Sequence, residues 1–294
     1  MNKVIVRIKG GLGNQLFCYA AARRLALINK AELIIDDVSG FVRDIQYQRR
    51  YALDNFHIEA QKAAPGERLE PFERYRRGLI KFSAKLYPFS NRQYIEQEGF
   101  DFDSRLVDYR IKNNTVYLDG LWQSENYFFD VGDMIRQDLK VVPPEDQANQ
   151  QMSKRILACN AVALHVRFFN KSDAASSWQN LHENYYTQAI EKISKKVNNP
   201  HFFIFSDNPK EAKIKTRLST DIVTCVDINH GDENAYADLW LMTLCKHFII
   251  SNSTFSWWGA WLAEFNDPKP IIFAFDQFSS KDTVPNRWVC PPFK

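Results

Sequence analysis

Five short apolar segments alternate with helical patterns through the second half of the chain, and this alternation constrains the fold more than any other feature. The apolar segments are residues 161–169, 201–207, 221–228, 247–253 and 270–276. Each is a continuous apolar run, as in strands that are buried on both faces of a sheet. The helical patterns between and after them are residues 183–197, 208–218, 235–246 and 254–265. This order predicts an α/β domain with a doubly wound parallel sheet.

The first half of the chain begins in the same way. A strand at 4–9, a glycine-containing loop, a helix and a second strand at 32–37 form one βαβ unit. The polar, proline-containing stretch 143–151 shows no periodicity and is the expected domain boundary. We therefore expect two Rossmann-like domains that face each other, residues 1–145 and residues 152–294.

The composition excludes several classes of protein. The net charge of +3, from 38 basic and 35 acidic residues, is too balanced for a protein whose main partner is a nucleic acid. The five cysteines are odd in number and form no CxxC pair, which favours free thiols over a disulfide framework or a zinc site. The sequence has neither a signal-peptide pattern nor a run of the ~20 apolar residues that a membrane span requires.

The segment HVRFFN, residues 165–170, follows an apolar strand and carries two polar side chains. His165 and Arg167 are two residues apart, so they lie on the same side of a strand. In open α/β sheets, ligands bind beyond the carboxyl ends of the strands, and the planar guanidinium of arginine suits a phosphate. The alternative is an Arg167 that pairs with a nearby carboxylate.

Two further strand ends carry polar residues. SNSTFS, residues 251–256, leads into a helix that begins near Thr254, whose exposed N–H groups would form an anion site. Trp257 and Trp261 share a face of this helix and are expected to pack into the core. Asp207 precedes another helix and is either part of its N-terminal cap or a ligand for a nucleotide hydroxyl.

The loop KGGLGNQL, residues 9–16, joins the first strand to the first helix. It matches neither GxGxxG nor a P-loop, so a tight structural turn and a ligand loop are equally favoured. Asn14 and Gln15 carry amides that suit sugar hydroxyls. The pair Asp101 and Asp103 resembles a metal-binding DxD motif, but its polar loop favours capping of a turn. No metal is expected.

Residues 70–88 predict a basic amphipathic helix. Such a helix either lies on an anionic membrane or packs its apolar stripe inward, and packing is the favoured interpretation. The stripe is Phe72, Tyr75, Leu79, Phe82 and Leu86, and the other faces carry Arg74, Arg76, Arg77, Lys81 and Lys85.

Four segments together resemble bacterial α-1,2-fucosyltransferases of glycosyltransferase family 11, over nearly the whole chain. They are residues 9–26, 119–128, 203–208 and 238–262. The resemblance implies a GT-B-like fold. It also implies a metal-independent, inverting transfer of L-fucose from GDP-β-L-fucose to the 2-hydroxyl of a galactose, in an oligosaccharide such as an O-antigen repeat unit. No cofactor is implied beyond the donor substrate.

The resemblance also implies roles for individual residues. His165 matches a histidine on the guanine side of the nucleotide, and Arg167 matches an arginine that grips the diphosphate. Both are predicted catalytic residues. Asp238 matches, more loosely, an aspartate near the guanine. The remaining predicted donor residues are Asp207, Ser253, Thr254, Phe255 and Ser256, and the predicted acceptor or cleft loop comprises Gly11, Gly13, Asn14 and Gln15.

The chain departs from the family in its first nucleotide-site motif. The family usually has HxRRGDY there, and this chain has HVRFFNK, with Phe168, Phe169 and Asn170 at the altered positions. The loss of the aspartate removes a base from that position. The choice of base stays open between a phosphate oxygen of the leaving group and the carboxylates of Asp36, Asp37, Glu125, Asp173 and Glu183.

Three other functions remain as alternatives. These are a transferase with another nucleotide sugar, a non-catalytic nucleotide- or glycan-binding module and, with the least support, an oxidoreductase. The expected location is the bacterial cytoplasm, with or without peripheral contact at the inner membrane. The expected partners are GDP-fucose and a galactose-terminated oligosaccharide, free or lipid-linked, and no nucleic acid.

Overall fold

The computed structural model describes residues 1–112, 114–169, 180–276, 278 and 280–290. The chain divides into two compact units, Met1–Lys140 and Val141–Lys294, which we call unit 1 and unit 2. In the described residues, each unit contains one five-stranded sheet whose strands are all parallel.

Unit 1 is built around a central strand and a largely buried helix. Its strands are β1 (Lys3–Arg7), β2 (Glu32–Asp36), β3 (Gln61–Lys62), β4 (Tyr94–Glu96) and β5 (Thr115–Asp119), in the order β3-β2-β1-β5-β4. Its α-helices are α1 (Leu12–Ile28), α2 (Glu73–Ala84), α3 (Ser104–Val107) and α4 (Gly132–Asp138). Helix α1 is apolar around most of its circumference, and its buried Arg24 is paired with Asp130 at 2.8 Å. It therefore packs as a core helix.

Unit 2 has the predicted alternation of strands and helices. Its strands are β6 (Asn160–Val166), β7 (Pro200–Ser206), β8 (Val223–Val226), β9 (His247–Ile249) and β10 (Ile272–Phe273). Its α-helices are α5 (Gln147–Leu157), α6 (Glu183–Ser194), α7 (Pro209–Thr216), α8 (Ala235–Thr243) and α9 (Thr254–Ala263). The strand order is β8-β7-β6-β9-β10, so the chain reverses direction across the sheet at β6, as a doubly wound sheet requires.

The core of unit 2 confirms the predicted burial of the two tryptophans. Tyr186 and Ile193 of α6 are also fully buried against the sheet. Trp257 and Trp261 stack inside the core with ring centroids 6.0 Å apart. The indole N–H of Trp257 donates to the carbonyl oxygen of Thr283 at 2.8 Å, so its polar atom is satisfied.

The predicted boundary stretch 143–151 is partly helical. Helix α5 begins at Gln147, inside that stretch, and Asp146 caps it by accepting the N–H of Asn149 at 2.9 Å. The aspartate satisfies a backbone donor that the first turn of a helix otherwise leaves unpaired. The polar composition of the stretch concealed this helix.

The favoured interpretation of helix α2 is wrong, because its apolar stripe faces solvent. Arg77 and Lys81 point inward instead, with side chains that are 12% and 25% exposed. Their partners are carboxylates at the carboxyl ends of the strands. These negative charges attract the basic face of the helix more strongly than its apolar face. The exposed side chains are Phe72, Tyr75, Leu79, Phe82 and Leu86.

Two smaller findings concern function. Asp103 caps α3 by accepting the N–H of Arg105 and forms an ion pair with its guanidinium at 2.6 Å, which confirms the capping interpretation of the DxD pair for this residue. In the part of the chain that the structure describes, no helix combines the length and apolarity needed to cross a bilayer.

The loop after β2 provides a test of the fold. A Cβ atom at Gly40 would lie 1.8 Å from the carbonyl oxygen of Ile8, a contact that the backbone can relieve only by moving. We expect Gly40→Ala to lower the free energy of unfolding by about 1–3 kcal/mol, measured by urea denaturation. The matched control is Gly78→Ala in α2, where no atom lies within 4 Å of the added Cβ. This change should stabilise the protein by up to about 1 kcal/mol. Equal stability of Gly40→Ala and the wild type would contradict the packing of this loop.

Candidate functional site

The sheet of unit 2 brings together the two polar motifs that the sequence analysis treated separately. Strands β6 and β9 are neighbours, and the strand order reverses between them. HVRFF includes the end of β6, and SNSTFS follows β9. Because parallel strands end at the same edge, both motifs lie at the topological switch point, where open α/β sheets bind ligands.

His165 connects these two motifs. Its Nδ1 lies 2.8 Å from the hydroxyl oxygen of Ser251, and its ring centroid lies 5.7 Å from that of Phe255. The side chain is buried, and burial, reinforced by the charge of Arg167, lowers its pKa to about 3. The imidazole is therefore neutral near pH 7 and acts as a hydrogen-bonding group without charge.

Arg167 follows β6 and pairs with Asp207, which follows the neighbouring strand β7. The Nη1 of Arg167 lies 2.9 Å from Oδ2 of Asp207, and Oδ1 of Asp207 accepts the backbone N–H of Phe168 at 3.0 Å. Both side chains are about 30% exposed, so the pair adds little to stability. Its main effect is to hold the guanidinium at the edge of the sheet. The structure therefore contains the carboxylate pair that the sequence analysis gave as the alternative for Arg167.

The two phenylalanines of HVRFF lie beside cations. The Cζ of Arg167 is 5.5 Å from the ring centroid of Phe169, within the range of a cation–π interaction. The Nζ of Lys215 is 5.2 Å from the ring of Phe168 and 5.8 Å from that of Tyr186, and burial lowers the pKa of Lys215. Asn170, the last residue of the motif, lies outside the described residues.

The N-terminus of α9 presents backbone donors beside His165. Ser253 is the N-cap in an extended conformation, and its described side chain makes no capping hydrogen bond. Ser256 donates its hydroxyl to the carbonyl oxygen of Ser253 at 3.2 Å, while Thr254 and Phe255 are half-buried. The first N–H groups of a helix have no acceptor within the helix and carry partial positive charge, so this end of α9 can bind an anion.

Asp238 of α8 belongs to a separate polar cluster in unit 2. Its Oδ1 accepts from the amide of Asn229 at 2.8 Å, and Asn229 also exchanges hydrogen bonds with Asn149 at 2.8 and 3.0 Å. Burial raises the pKa of Asp238 to about 6, against the hydrogen bond from Asn229, which lowers it. Neither Asn149 nor Asn229 belongs to a recognisable motif, so their place in this cluster was not predicted from sequence.

Unit 1 has its own cavity at its own switch point. Strand order reverses between β1 and β5, and a cavity of about 530 Å³ opens at the carboxyl ends of these strands. Charged and amide side chains contribute to its lining, and such groups can form hydrogen bonds with the hydroxyls of a ligand. The lining residues include Lys9, Gly10, Asn14, Gly40, Arg43, Asp44, Glu96, Gln97, Asp119 and Gly120.

Asp119 is the most heavily paired carboxylate in this lining. It accepts from Lys9 at 2.8 Å, Arg7 at 3.4 Å and the hydroxyl of Tyr94 at 2.7 Å. Burial alone would raise its pKa, but the charges of Lys9 and Arg7, with the hydrogen bonds of Lys9 and Tyr94, hold the pKa well below its usual range. Asp119 was not among the predicted site residues, although it is an acid at the end of an apolar strand, the same signal that identified Asp207.

The four predicted residues of the N-terminal loop take different roles. Gly11 caps α1 and Gly13 is buried in its first turn. Asn14 lines the cavity, and its Oδ1 accepts from the amide of Gln123 at 2.8 Å. Gln15 is buried and holds the loop, because its amide bonds three backbone groups. These are the carbonyl oxygens of Gly10 and Arg50 at 2.9 and 2.8 Å and the N–H of Ala52 at 2.9 Å.

Three of the candidate bases are already engaged in ion pairs, and one of them is Asp37, whose Oδ2 lies 3.7 Å from Nζ of Lys62. Asp36 accepts from the N–H and the hydroxyl of Ser39 and lies 3.5 Å from Arg77. Glu183 pairs with Arg217 at 2.9 Å. Asp173 lies outside the described residues.

Comparison with known proteins assigns the family. Residues 3–289 match the family described as Glycosyl transferase family 11. The chain belongs to this family. It is therefore a glycosyltransferase, as the sequence motifs predicted.

Two curated relatives from Escherichia coli resemble the chain over most of its length. The alpha-1,2-colitosyltransferase is 28% identical over 303 residues, which cover 98% of this chain and 99% of the relative. The O-antigen biosynthesis glycosyltransferase WbnK is 28% identical over 284 residues, which cover 88% of this chain and 90% of the relative.

Solved structures support the fold. The fucosyltransferase NodZ from Bradyrhizobium aligns with a TM-score of 0.53 at 17% identity, covering 88% of this chain and 92% of NodZ. The predicted GT-B-like class of this family 11 glycosyltransferase is thereby confirmed.

Neutral His165 makes the stability of the protein depend on pH. The unfolded chain binds a proton below about pH 6.5, whereas the folded chain does so only near its lowered pKa, so the wild type loses stability as the pH falls. Between about pH 7 and about pH 5 this loss amounts to about 2 kcal/mol for one such group.

We expect His165→Gln to remove this dependence. The difference in unfolding free energy between wild type and variant should narrow by about 2 kcal/mol over that pH range, measured by urea denaturation. The control is His57→Gln, at an exposed position, whose curve should stay parallel to that of the wild type. A constant difference for His165→Gln would contradict a buried, neutral imidazole.

Proposed function

We propose that this family 11 glycosyltransferase moves L-fucose from GDP-β-L-fucose to the 2-hydroxyl of a galactose in an oligosaccharide, with inversion and an α-1,2 linkage. The acceptor in this proposal is an O-antigen repeat unit in the bacterial cytoplasm. Unit 2 binds the donor and unit 1 binds the acceptor. The observation that carries the proposal is the pair of motifs around His165 and Arg167 at the switch point of unit 2.

The chemistry of this edge suits a nucleoside diphosphate. Arg167 presents a guanidinium to solvent, and the first turn of α9 presents backbone donors, so two independent positive groups face the same edge. Guanidinium groups and helix N-termini are both common protein ligands of phosphate. The NodZ alpha-1,6-fucosyltransferase, which shares this fold, has been co-crystallized with GDP.

The transfer itself is a single displacement. The 2-hydroxyl oxygen of galactose forms a bond to the anomeric carbon of fucose while the bond from that carbon to the diphosphate oxygen breaks. GDP leaves with the electron pair of that bond, and the proton of the hydroxyl passes to a base. Arg167 and the N–H groups of α9 stabilise the negative charge that develops on the diphosphate, so the proposal includes no metal ion or other cofactor.

The remaining donor residues have roles consistent with this arrangement. His165 offers a neutral ring nitrogen for the guanine side of the nucleotide, with its orientation fixed by Ser251. Asp238 is the proposed contact for the guanine base, because a carboxylate accepts the adjacent N–H groups of guanine. Asp207 acts through Arg167, as its two oxygens hold that side chain and the following backbone.

The acceptor site in this proposal is the cavity of unit 1. Its amides and carboxylates, among them Asn14, Glu96 and Gln97, match the hydroxyls of a sugar. The similarity to a glycosyltransferase of O-antigen biosynthesis supports a lipid-linked repeat unit as the acceptor.

A second donor is favoured by one specific observation. A relative that aligns over 98% of this chain is a colitosyltransferase. Colitose is fucose without its 3-hydroxyl, so the two GDP-sugars differ by one hydrogen-bonding group. A donor site that forms a hydrogen bond with this hydroxyl would strongly prefer GDP-fucose to GDP-colitose.

The experiment that tests the proposal has two stages. Thermal unfolding is first measured with GDP-fucose, GDP-colitose, UDP-glucose and NAD. Of these four ligands, only the two GDP-sugars are expected to raise the unfolding temperature. Transfer to a β-galactosyl disaccharide is then followed by mass spectrometry, with and without EDTA, and the linkage is determined by NMR. Product from GDP-fucose in EDTA supports the proposal. Binding without product across a range of galactosides would instead indicate a nucleotide-binding module.

Arg167 is the most direct residue to test. We expect Arg167→Ala to lower kcat by about 10²–10³-fold, because it removes a charge that stabilises the leaving diphosphate. Arg167→Lys should recover part of this loss, as it keeps the charge without the planar fork. The matched control is Arg217→Ala, an exposed arginine of the same unit that pairs with Glu183. Near-normal turnover of Arg167→Ala would refute its assignment.

A further inference from the structure

Helix α2 carries an apolar stripe on its solvent side. Within the helix, Tyr75, Leu79 and Phe82 are each between 70% and 72% exposed. The stripe is extended by the N-cap residue Phe72 and by Leu86 just beyond the helix, both 73% exposed. Spacings of three and four residues place the three helical side chains on one face of α2. Scattered exposed apolar residues are ordinary, but a contiguous apolar patch marks a surface that contacts another body. The stripe consists of Phe72, Tyr75, Leu79, Phe82 and Leu86.

The opposite face of α2 fixes the orientation of the helix. Arg77 donates to the hydroxyl of Ser39 at 2.8 Å and lies 3.5 Å from Asp36. Lys81 lies 2.6 Å from Glu96 and 3.3 Å from Asp119. Rotating the helix to bury the stripe would remove these cations from Asp36 and Asp119, whose carboxylates are buried, and this is strongly unfavourable. The exposed stripe is therefore a stable feature of the fold.

Basic side chains border the stripe on both sides. At 100° per residue, Arg76 lies on one side of it, and Arg74 and Lys85 lie on the other. All three are exposed, while Glu73, the one acidic residue of α2, is half-buried. An apolar stripe between two basic borders complements a surface that is apolar inside and anionic outside.

We propose that α2 docks on the surface of an anionic phospholipid bilayer. The helix lies in the plane of the interface, with Leu79 and Phe82 at its centre inserted at the boundary between headgroups and acyl chains. Arg74, Arg76 and Lys85 reach the lipid phosphates with their charged ends while their stems cover apolar surface. The 12-residue helix offers roughly 18 Å of contact along its axis.

A second copy of the chain fits this surface less well. A two-fold contact through the stripe would place the same basic borders of both copies against each other, since an isologous interface pairs identical patches. The like charges of the two copies would then repel each other and oppose association. A bilayer with anionic headgroups meets the same borders with the opposite charge.

The test is co-sedimentation of the full chain with vesicles. The wild type is expected to bind vesicles that contain phosphatidylcholine and about a third phosphatidylglycerol, and to bind pure phosphatidylcholine at least tenfold more weakly. Leu79→Ser/Phe82→Ser shortens the stripe, and Arg74→Gln/Lys85→Gln removes two border charges. Each double variant should weaken binding to the anionic vesicles by roughly 10- to 30-fold. All four side chains are exposed, so the unfolding temperature should change little.

The matched control is Leu157→Ser/Ile214→Ser, which removes two exposed apolar side chains, 60% and 72% exposed, from α5 and α7. This variant should bind vesicles as the wild type does. Failure of the wild type to bind anionic vesicles would overturn the proposal, as would equal losses in the control and in Leu79→Ser/Phe82→Ser. Concentration-dependent dimerisation that Leu79→Ser/Phe82→Ser abolishes, without vesicle binding, would assign the surface to a second copy instead. Vesicle binding is measured without donor or acceptor, so its failure is distinct from failure of the proposed transfer reaction.

Discussion

Parallel pairing of strands is the constraint on which both candidate sites depend. It sends every strand of a sheet to the same edge, so residues that are far apart in the chain meet there without any local motif that joins them. In unit 2 the ends of β6 and β9 bring His165 to Ser251 across 86 positions of sequence. In unit 1 the ends of β1 and β5 bring Lys9 to Asp119 across 110 positions. The order of the strands, rather than any single side chain, determines where each polar cluster forms.

The second half of the chain could be predicted well from sequence because its strands are buried on both faces. A strand of this kind is a continuous apolar run, and the polar residue that ends the run marks the edge of the sheet, as at Arg167 and Asp207. The predicted strands were therefore found, and the residues at their ends lie together. The sequence did not reveal the contacts between those residues. The pairing of Arg167 with Asp207 depends on which strands are neighbours, and the sequence alone left that open.

Helix α2 shows the opposite case. The spacing of Phe72, Leu79 and Phe82 correctly predicts that they share a face, but spacing contains no information about which face of a helix meets the sheet. That choice depends on the charge of the edge it packs against. Asp36, Glu96 and Asp119 come from three different strands or strand ends, so their combined charge exists only after the sheet has formed. An apolar stripe is a reliable guide to burial only when the surface beneath it is apolar too.

The neutral imidazole of His165 has a consequence for how the protein responds to its surroundings. Its pKa of about 3 lies far from the range in which cells operate, and its Nδ1 is occupied by Ser251. A phosphate bound at the site that we propose would therefore meet the permanent cation of Arg167 and, in His165, a group whose charge does not vary near neutral pH. Changes of pH near neutrality leave the electrostatics of this edge constant. Any variation of nucleotide affinity with pH in that range must then originate elsewhere, in the protons of the ligand or in Asp238, whose pKa is raised by burial to about 6.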